Sequence, residues 1–276
     1  MAYRYFRALI CSAAAAASLT ILAFFAVPAQ AKNGPTAVDA ELVFAVDISY
    51  SMNSDEQRLQ RAGYVTALKS REFLNALQSG PLGKVAVAYI QWASSGDQDV
   101  LLNWSLIDSA ESAQAVADKL GEAGYRRAQR TSISGGIDFA AHMFDNNGYN
   151  GARQIIDVSG DGPNNNGRPV TDARDEALAK GVVINGLPLV GIRPYLGPAD
   201  IKDLDIYYQD CVVGGPDSFM IPIHDTNAFV EATRNKLVRE IASHPSPTPK
   251  VQLAADSEPR ISCMIGENLW RGRWGN

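Results

Sequence analysis

Histidine and cysteine are scarce in this chain, which has only three of each among 276 residues. Many catalytic bases and nucleophiles are drawn from these two residue types. His142 falls in the middle of a predicted helix and His244 begins a proline-rich stretch, so neither is typical of a catalytic base. The sequence also has no Gly-x-Ser-x-Gly elbow, no phosphate-binding Gly-x-x-x-x-Gly-Lys loop and no Gly-x-Gly-x-x-Gly turn. These absences argue against a serine hydrolase and against a nucleotide-binding enzyme.

Positive charge is in the minority as well. The chain has 25 Lys and Arg residues against 30 Asp and Glu residues, a formal net charge of −5, and the positive residues form no stripe. Proteins that bind nucleic acid through its phosphates need such a basic surface. The sequence therefore predicts no nucleic-acid partner.

Long apolar runs are absent except near the N-terminus, at residues 8–27. Two arginines precede this run and Ala-Gln-Ala follows it at residues 29–31, which is the pattern of a cleaved secretory signal. We expect residues 1–31 to be a signal peptide and the mature chain to begin near Lys32, in the periplasm or outside the cell. An uncleaved anchor is the alternative, because the run is long for a signal peptide. After cleavage, no predicted segment could span a membrane.

Cysteine usage agrees with export. Cys11 lies in the predicted signal peptide, which leaves Cys211 and Cys263 in the mature chain. Two cysteines in an oxidising compartment are a candidate disulfide. The alternatives are two unpaired thiols or a bridge to another chain, and we favour the internal bridge.

Short apolar strands alternate with longer helices along the mature chain. We predict strands at residues 41–46, 84–92, 99–107, 153–159, 182–190 and 219–223, and helices at residues 55–79, 109–123, 133–144, 170–180 and 225–243. This alternation predicts a doubly wound α/β fold, with a mostly parallel sheet and helices on both faces. Residues 99–107 alternate in polarity, as in an antiparallel edge strand. We expect one domain over residues 32–243, with residues 194–218 irregular, and a proline-rich linker and polar tail over residues 244–276.

The stretch Glu41–Ser51, ELVFAVDISYS, is the most informative part of the sequence. Its apolar run predicts a strand buried on both faces, and that strand ends in Asp47, Ser49 and Ser51. Ligands of open α/β sheets bind at the carboxyl ends of the strands. One carboxylate and two hydroxyls at that edge indicate a site for a hard cation. Thr131, before a helix, and Asp161, after a later strand, supply further oxygen donors at comparable positions.

The pattern Asp-x-Ser-x-Ser, then Thr131, then Asp161 in a Ser-Gly-Asp-Gly turn resembles the metal-ion-dependent adhesion site (MIDAS) of von Willebrand factor type A (VWA) domains. The resemblance covers about residues 40–243, and an exported bacterial subgroup of that family without assigned function is similar to this chain. It implies that Ser49 and Ser51 bind Mg²⁺ through their hydroxyls. Asp47 and Thr131 would bind directly or through water, and Asp161 usually through water. Mn²⁺ or Ca²⁺ could replace Mg²⁺.

One departure from the family pattern leaves a choice of acid in the third loop. Many members have Thr-Asp-Gly after an all-apolar strand, whereas here the strand contains Asp157. Aligning the Asp-Gly pair selects Asp161 as the ligand and leaves Asp157 as a structural acid. An EF-hand loop starting at Asp47 is excluded, because Met52 and Arg58 stand where it needs Gly and Glu.

Several residues near these motifs have two interpretations. Arg126, Arg127 and Arg130 precede Thr131, so they either flank the metal face and attract an acidic partner or belong to a solvated loop. Residues 164–166, three asparagines, either line that face or form a turn. The tail, which includes Trp270, docks a partner, packs on the domain or is disordered.

The resemblance implies an exported adhesion-type module that binds Mg²⁺ and captures an Asp or Glu carboxylate of a partner protein. Neutral hydroxyl ligands leave the ion short of negative charge, so it has affinity for one more anion. The alternative is a metal-dependent hydrolase or an accessory subunit of an envelope enzyme. We expect no enzymatic activity, since the sequence shows no base and nucleophile in a catalytic arrangement.

Overall fold

The computed structural model describes residues 34–191, 201–242 and 259–274, and its centre is a five-stranded sheet. The strands in chain order are β1 (Thr36–Val38), β2 (Ala40–Asp47), β3 (Val85–Trp92), β4 (Gln98–Ile107), β5 (Tyr149–Gly151), β6 (Gln154–Gly160) and β7 (Val183–Pro188). The main sheet has the order β4-β3-β2-β6-β7, while β1 and β5 pair separately. All neighbours in the main sheet are parallel except β3 and β4. The predicted mostly parallel sheet with one antiparallel edge strand is confirmed.

Helices cover both faces of this sheet. They are α1 (Ser54–Leu68), α2 (Arg71–Ser79), α3 (Ala110–Glu122), α4 (Ile133–Met143), α5 (Val170–Ala179), α6 (Leu204–Tyr207), α7 (Phe229–Ala242) and α8 (Ile265–Trp274). Along β2, Val43 and Ala45 pack into the core with α4 and α5, whereas Leu42 and Phe44 pack into the core with α1, α2, α3 and α7. Because side chains alternate across a strand, all eight residues of β2 are buried. The doubly wound architecture is therefore confirmed.

The predicted helix over residues 55–79 is wrong in one respect, because two helices occupy that stretch. Lys69 ends α1, and Ser70 adopts an extended conformation with φ −72° and ψ 149°. The Ser70 hydroxyl accepts a hydrogen bond from the Phe73 amide at 3.1 Å, which caps α2. An N-cap serine satisfies an amide at the start of a helix, so it begins a new helix rather than continuing the old one.

Three other stretches also differ from the prediction. Residues 219–223 form no strand, since Met220 and Ile223 make only isolated bridges to the chain at Gly186 and Leu189. The described part of the irregular segment contains α6 followed by a π-helical turn over Tyr208–Val212. The predicted polar tail forms α8.

The predicted domain boundaries at residues 31 and 243 both fall outside the described residues, as do the signal peptide and most of the linker. They remain predictions. Among the residues that are described, none of the helices has both the length and the apolar character needed to cross a bilayer.

The predicted internal disulfide between Cys211 and Cys263 is present, with an S–S distance of 2.06 Å. It ties the segment before α8 to the π-helical turn. Arg260 strengthens the attachment, because its guanidinium contacts the Asp210 carboxylate at 2.7 Å and its amide donates to the same group at 2.8 Å. Ile261 and Ile265 pack against the core on that side of the sheet.

A buried ionic network lies on the other side of the sheet. The Lys236 ammonium, on α7, contacts the Asp157 carboxylate of β6 at 2.5 Å and also the Glu240 carboxylate, and all three residues are buried. Tyr64 donates to Asp157 at 3.2 Å, and Asn185 donates to Glu240 at 2.9 Å. With two acids and one base, the network is electrically neutral only when it also holds a proton.

Burial raises the pKa of Glu240 from 4.5 to about 7; the attraction of Lys236 opposes this shift and the repulsion of Asp157 adds to it. Because the folded state binds the proton more tightly, stability from this group is present at low pH and is lost as pH rises through about 7. Glu240→Gln should remove that dependence. We expect the difference in unfolding free energy between wild type and variant to fall by roughly 1–3 kcal/mol from pH 5 to pH 8, measured by urea denaturation.

Glu231→Gln is the matched control, since Glu231 is an exposed carboxylate on the same helix. Its stability should follow that of the wild type at each pH. If the difference in unfolding free energy between wild type and Glu240→Gln does not change with pH, the assignment of the proton to Glu240 is wrong.

The disulfide makes a separate prediction. Cys211 and Cys263 are 52 residues apart, and closing a loop of that length stabilises a fold by up to about 4 kcal/mol on the chain-entropy estimate. Replacing both cysteines with serine should lower the urea midpoint, and reductant should do the same to the wild type. The double variant serves as the control for the reductant, to which it should not respond. Equal midpoints for the oxidised and reduced wild type would show that the bridge does not stabilise the folded state.

Candidate metal centre

The first loop of the site follows the central strand β2. The Asp47 carboxylate accepts a hydrogen bond from the Ser49 amide at 2.6 Å, and the hydroxyls of Ser49 and Ser51 lie 2.6 Å apart. Asp47 and Ser49 are almost fully buried, whereas Ser51 is half-buried. The amide of Met52 then donates to the Ser49 carbonyl at 2.9 Å and closes the turn before α1. A carboxylate and two hydroxyls are thus held together at the end of a buried strand.

Asp161 joins this loop from the end of β6. Val46 pairs with Ser159 in the parallel register, so the next residues on each strand, Asp47 and Gly160, are side by side. A Cβ on Gly160 would lie 2.9 Å from Oδ2 of Asp47, which requires glycine there. Asp161 follows, and its Oδ1 accepts a hydrogen bond from the Ser51 hydroxyl at 2.6 Å. The Ser-Gly-Asp-Gly turn therefore has a steric reason for its first glycine.

Thr131 is held beside these two loops by backbone contacts. The Ala128 amide donates to the Ile48 carbonyl at 3.0 Å, which fixes the segment before Thr131 to the first loop. Asn165, in the third loop, donates its amide to the Thr131 carbonyl at 2.8 Å and accepts from the Thr131 amide through Oδ1 at 3.0 Å. Asn164 likewise accepts from the Ser134 amide at 3.0 Å. The sequence left open whether these asparagines line the metal face or form a turn. In the structure they bind the second loop to the third.

A close approach of helix and sheet positions the start of α4. A Cβ on Gly136 would lie 2.9 Å from Cγ of Trp92, so the helix packs directly on the indole ring of β3. Ser132 caps the helix by accepting from the Gly135 amide at 3.1 Å. Glycine in the first turn, unfavourable for a helix by itself, therefore allows α4 to approach the sheet at this point.

These loops surround an open cleft of about 340 Å³. Its lining is Ser49, Tyr50, Ser51, Gln129, Arg130, Thr131, Gly162, Pro163, Asn165 and Trp270. The hydroxyl residues predicted as ligands thus open onto one space, and Asp47 and Asp161 lie behind them as partners of Ser49 and Ser51. The structure brings all five predicted ligand residues to one edge of the sheet.

The donor set meets the requirements of Mg²⁺. Neighbouring ligands of an octahedral Mg²⁺ ion, each about 2.1 Å from it, are about 3 Å apart. Three oxygen atoms of Ser49, Ser51 and Asp161 already form a chain with 2.6 Å steps. In the described residues, no three or more His, Cys, Asp or Glu side chains come together as a possible metal site. The centre is therefore built from hydroxyls with two acids, a composition that suits a hard cation.

Asp157 and Asp161, the two acids considered for the third loop, lie in different surroundings. Asp157 is fully buried and contacts Lys236 and Tyr64, so it belongs to the ionic network.

The three arginines before Thr131 have different partners. Arg126 pairs with Asp97 at 2.8 Å, whereas Arg127 donates to the Tyr50 carbonyl at 2.5 Å. Of the three, Arg130 is the one that lines the cleft.

The sequence left the role of Trp270 undecided, and it did not indicate that Tyr50 or Gln129 belongs to the site. Trp270 reaches the cleft from α8, far along the chain, and its ring lies 3.7 Å from the Arg130 guanidinium carbon. Tyr50 could have been identified, because a tyrosine between two ligand serines must lie at the same edge. Its side chain is 55% exposed.

Comparison with known proteins gives the family. The profile described as "Protein of unknown function (DUF1194)" matches residues 37–245, which is more than half of the chain. No curated protein matches the sequence.

Three solved structures show similar architecture. Proximal thread matrix protein 1 from the mussel byssus, with a zinc-occupied MIDAS motif, has 15% identity and a TM-score of 0.51 over 76% of this chain and 48% of its own. The pilus adhesin SpaC from Lactobacillus rhamnosus GG has 16% identity and a TM-score of 0.50 over 77% of this chain and 31% of its own. A von Willebrand factor type A protein from Catenulispora acidiphila has 14% identity and a TM-score of 0.49 over 74% and 43%.

At these identities, the mussel protein and the adhesin show a shared fold. The chain spans about half the length of the mussel protein and about a third of the adhesin. The α/β fold that the resemblance in the sequence implies is confirmed.

The close packing of α4 on the sheet predicts that a larger residue at Gly136 destabilises the protein. Gly136→Ala places a methyl group against the buried Trp92 ring, so either the helix or the indole must shift. We expect a loss of about 1–3 kcal/mol in unfolding free energy, as for other overpacked cores, measured by urea denaturation.

Gly121→Ala is the matched control. Gly121 is exposed inside α3, and a Cβ there meets nothing within 4 Å. The same substitution should stabilise the protein by about 0.5–1 kcal/mol, because alanine is the better helix former. A change of the same sign in both variants would contradict the packing argument.

Proposed function

We propose that this chain, which belongs to the DUF1194 family, is a divalent-cation-dependent adhesion-type module that binds an acidic group of a partner protein. The observation that carries the proposal is the convergence of three sequence-distant loops on one cleft. Ser51 and Asp161 are 110 residues apart and share a hydrogen bond of 2.6 Å, while Thr131 lines the same cleft from a third loop.

The roles follow from the donor groups. Ser49, Ser51 and Thr131 would hold Mg²⁺ through neutral hydroxyls, and Asp47 and Asp161 would hold it directly or through water. Mn²⁺ or Ca²⁺ could take the same place. The zinc-occupied MIDAS motif of the mussel protein supports the binding of a divalent ion other than Mg²⁺ at such a motif. A bound cation would supply a positive charge that attracts a carboxylate, and the residues of this chain would set where it lies in the cleft.

The lining of the cleft supports binding rather than catalysis. It consists of hydroxyl, amide, aromatic and guanidinium groups, with no histidine, cysteine, lysine or glutamate among the described residues that line it. An incoming carboxylate would therefore meet hydrogen-bond donors and positive charge. The hydroxyls of Ser49, Ser51 and Thr131 have no histidine or lysine beside them in the described lining to activate them as nucleophiles. A carboxylate of Asp or Glu on a protein is the simplest ligand for such a surface.

We place the module in the periplasm or outside the cell. The Cys211–Cys263 disulfide supports an oxidising compartment, in agreement with the predicted signal peptide over residues 1–31.

Cation binding tests the proposal directly. Titration of the purified protein with MnCl₂, MgCl₂ or ZnCl₂ in a calorimeter should show one site per chain. Loss of groups around a metal often weakens binding 10- to 100-fold, so Asp47→Asn should weaken it at least about tenfold. Ser49→Ala and Asp161→Asn should weaken it in the same direction.

Asp172→Asn serves as the control, since it removes the same charge from an exposed position on α5. Its affinity for the cation should equal that of the wild type. Circular dichroism should show that each variant is folded. Binding that survives unchanged in folded Asp47→Asn and Asp161→Asn would rule out this cleft as the cation site.

A further inference from the structure

The C-terminal segment is a built part of the cleft. Residues 259–274 lie beyond the family match at residues 37–245, yet Trp270 of α8 is among the residues that line the cleft with Ser49 and Thr131. A segment outside the shared domain therefore contributes to the surface that a ligand of the cation site would meet.

Several contacts fix this segment to the third loop. Glu267 accepts a hydrogen bond from Nδ2 of Asn164 at 2.7 Å. Gly266 approaches the loop so closely that a Cβ there would lie 2.0 Å from the Asn164 carbonyl oxygen. With the Cys211–Cys263 disulfide and the Arg260–Asp210 pair, these contacts hold α8 at one orientation. Trp270 thus has a defined position at the cleft.

The ring of Trp270 holds Arg130. The guanidinium carbon lies 3.7 Å from the ring centroid, which is a close cation–π stack. One of the five N–H groups of Arg130, on Nη2, donates to the Asn165 carbonyl at 2.6 Å. Arg130 also has a positive φ of 73°, a conformation that non-glycine residues seldom adopt. The side chain is therefore fixed between a tryptophan and a carbonyl, directly before Thr131 in the chain.

Among the described residues, Arg130 has no acid partner. Within the described ranges, no carboxylate oxygen lies within 4.0 Å of its guanidinium, whereas neighbouring Arg126 pairs with Asp97 at 2.8 Å. A guanidinium presents paired N–H groups that match a carboxylate. The cleft therefore contains a fixed anion-binding group beside the hydroxyls of the cation site.

We infer that the cleft recognises two acidic groups of one protein segment, one at the cation and the other at Arg130, which Trp270 holds in place. This inference rests on the proposed function and adds the ligand class: an acidic segment with two nearby carboxylates. Arg130 and Trp270 would then determine specificity, and the cation would provide the common anchor.

The test uses pairs of short capped peptides that differ by one charge. One peptide of each pair contains Asp followed by Glu, and the other contains Asp followed by Gln, with the two residues adjacent or one glycine apart. Binding to the purified protein in 5 mM MgCl₂, roughly the excess needed to saturate a millimolar site, is followed by NMR titration. The wild type should prefer the two-acid peptide by about tenfold, as expected for one charge-assisted contact.

Variants assign the preference to specific residues. Arg130→Gln should abolish it, Arg130→Lys should retain part of it, and Trp270→Ala should reduce it because Arg130 loses its stack. Arg271→Gln is the matched control: it removes the same charge from an exposed position on α8 and should keep the full preference. Affinity for the one-acid peptide, measured in the same variants, reports on the cation site separately.

Each outcome bears on the inference. A preference lost in Arg130→Gln and kept in Arg271→Gln supports it. No preference in the wild type, or equal loss in both variants, overturns it. If the wild type binds Mn²⁺ but prefers neither peptide, the cation site stands and the two-acid inference fails. If the wild type binds no divalent cation, the proposed function fails and this inference fails with it.

Discussion

The parallel pairing of β2 with β6 is the constraint on which the site depends. Val46 lies opposite Ser159, so the two strands end at the same level and their next residues meet. Because Gly160 has no side chain, Asp161 comes close enough to accept the hydrogen bond from Ser51. A shift of register by one residue would reverse the direction of every side chain on the strand and separate the donors. The buried core on both faces of β2 prevents such a shift, so the same packing that stabilises the fold also assembles the centre.

The fold class and the candidate ligand residues that the structure brings together could be predicted because both depend on local patterns. An apolar run followed by Asp-x-Ser-x-Ser identifies a strand and its functional end without knowledge of distant contacts. The split of the predicted helix at Ser70 was missed because a serine inside an amphipathic pattern is indistinguishable from an exposed helical position. The failed strand over residues 219–223 has the same origin: its apolar residues pack against the sheet without extended pairing. Tertiary contacts determine where such helices end and whether such strands form, and these contacts cannot be identified from a single sequence.

The role of Trp270 shows a second limit of sequence reasoning. Its place at the cleft depends on a disulfide 52 residues in span, on one ion pair and on Gly266, none of which has a periodic signature. The cysteines alone indicated that the tail returns to the domain, but not to which face. Gly266 was a clue in the sequence, because a glycine in the first turn of a helix can indicate that the helix approaches another part of the backbone closely. Its partner, the Asn164 carbonyl, could be found only in three dimensions.

The acids of β6 are divided between the buried ionic network and the proposed cation site. Asp157 and Asp161 are four residues apart, but Asp157 is matched by Lys236 on the far side of the sheet and contributes nothing to the cleft. Asp47 and Asp161 then remain to balance a divalent cation, and a centre occupied in this way would be neutral. One incoming carboxylate would give it an excess negative charge, and Arg130 is a cation of the cleft lining without an acid partner among the described residues. A second carboxylate on the ligand would instead use Arg130 directly. Either way, the cation and the guanidinium would act on the same anionic surface, whereas Asp157 lies in the ionic network with Lys236 and Glu240.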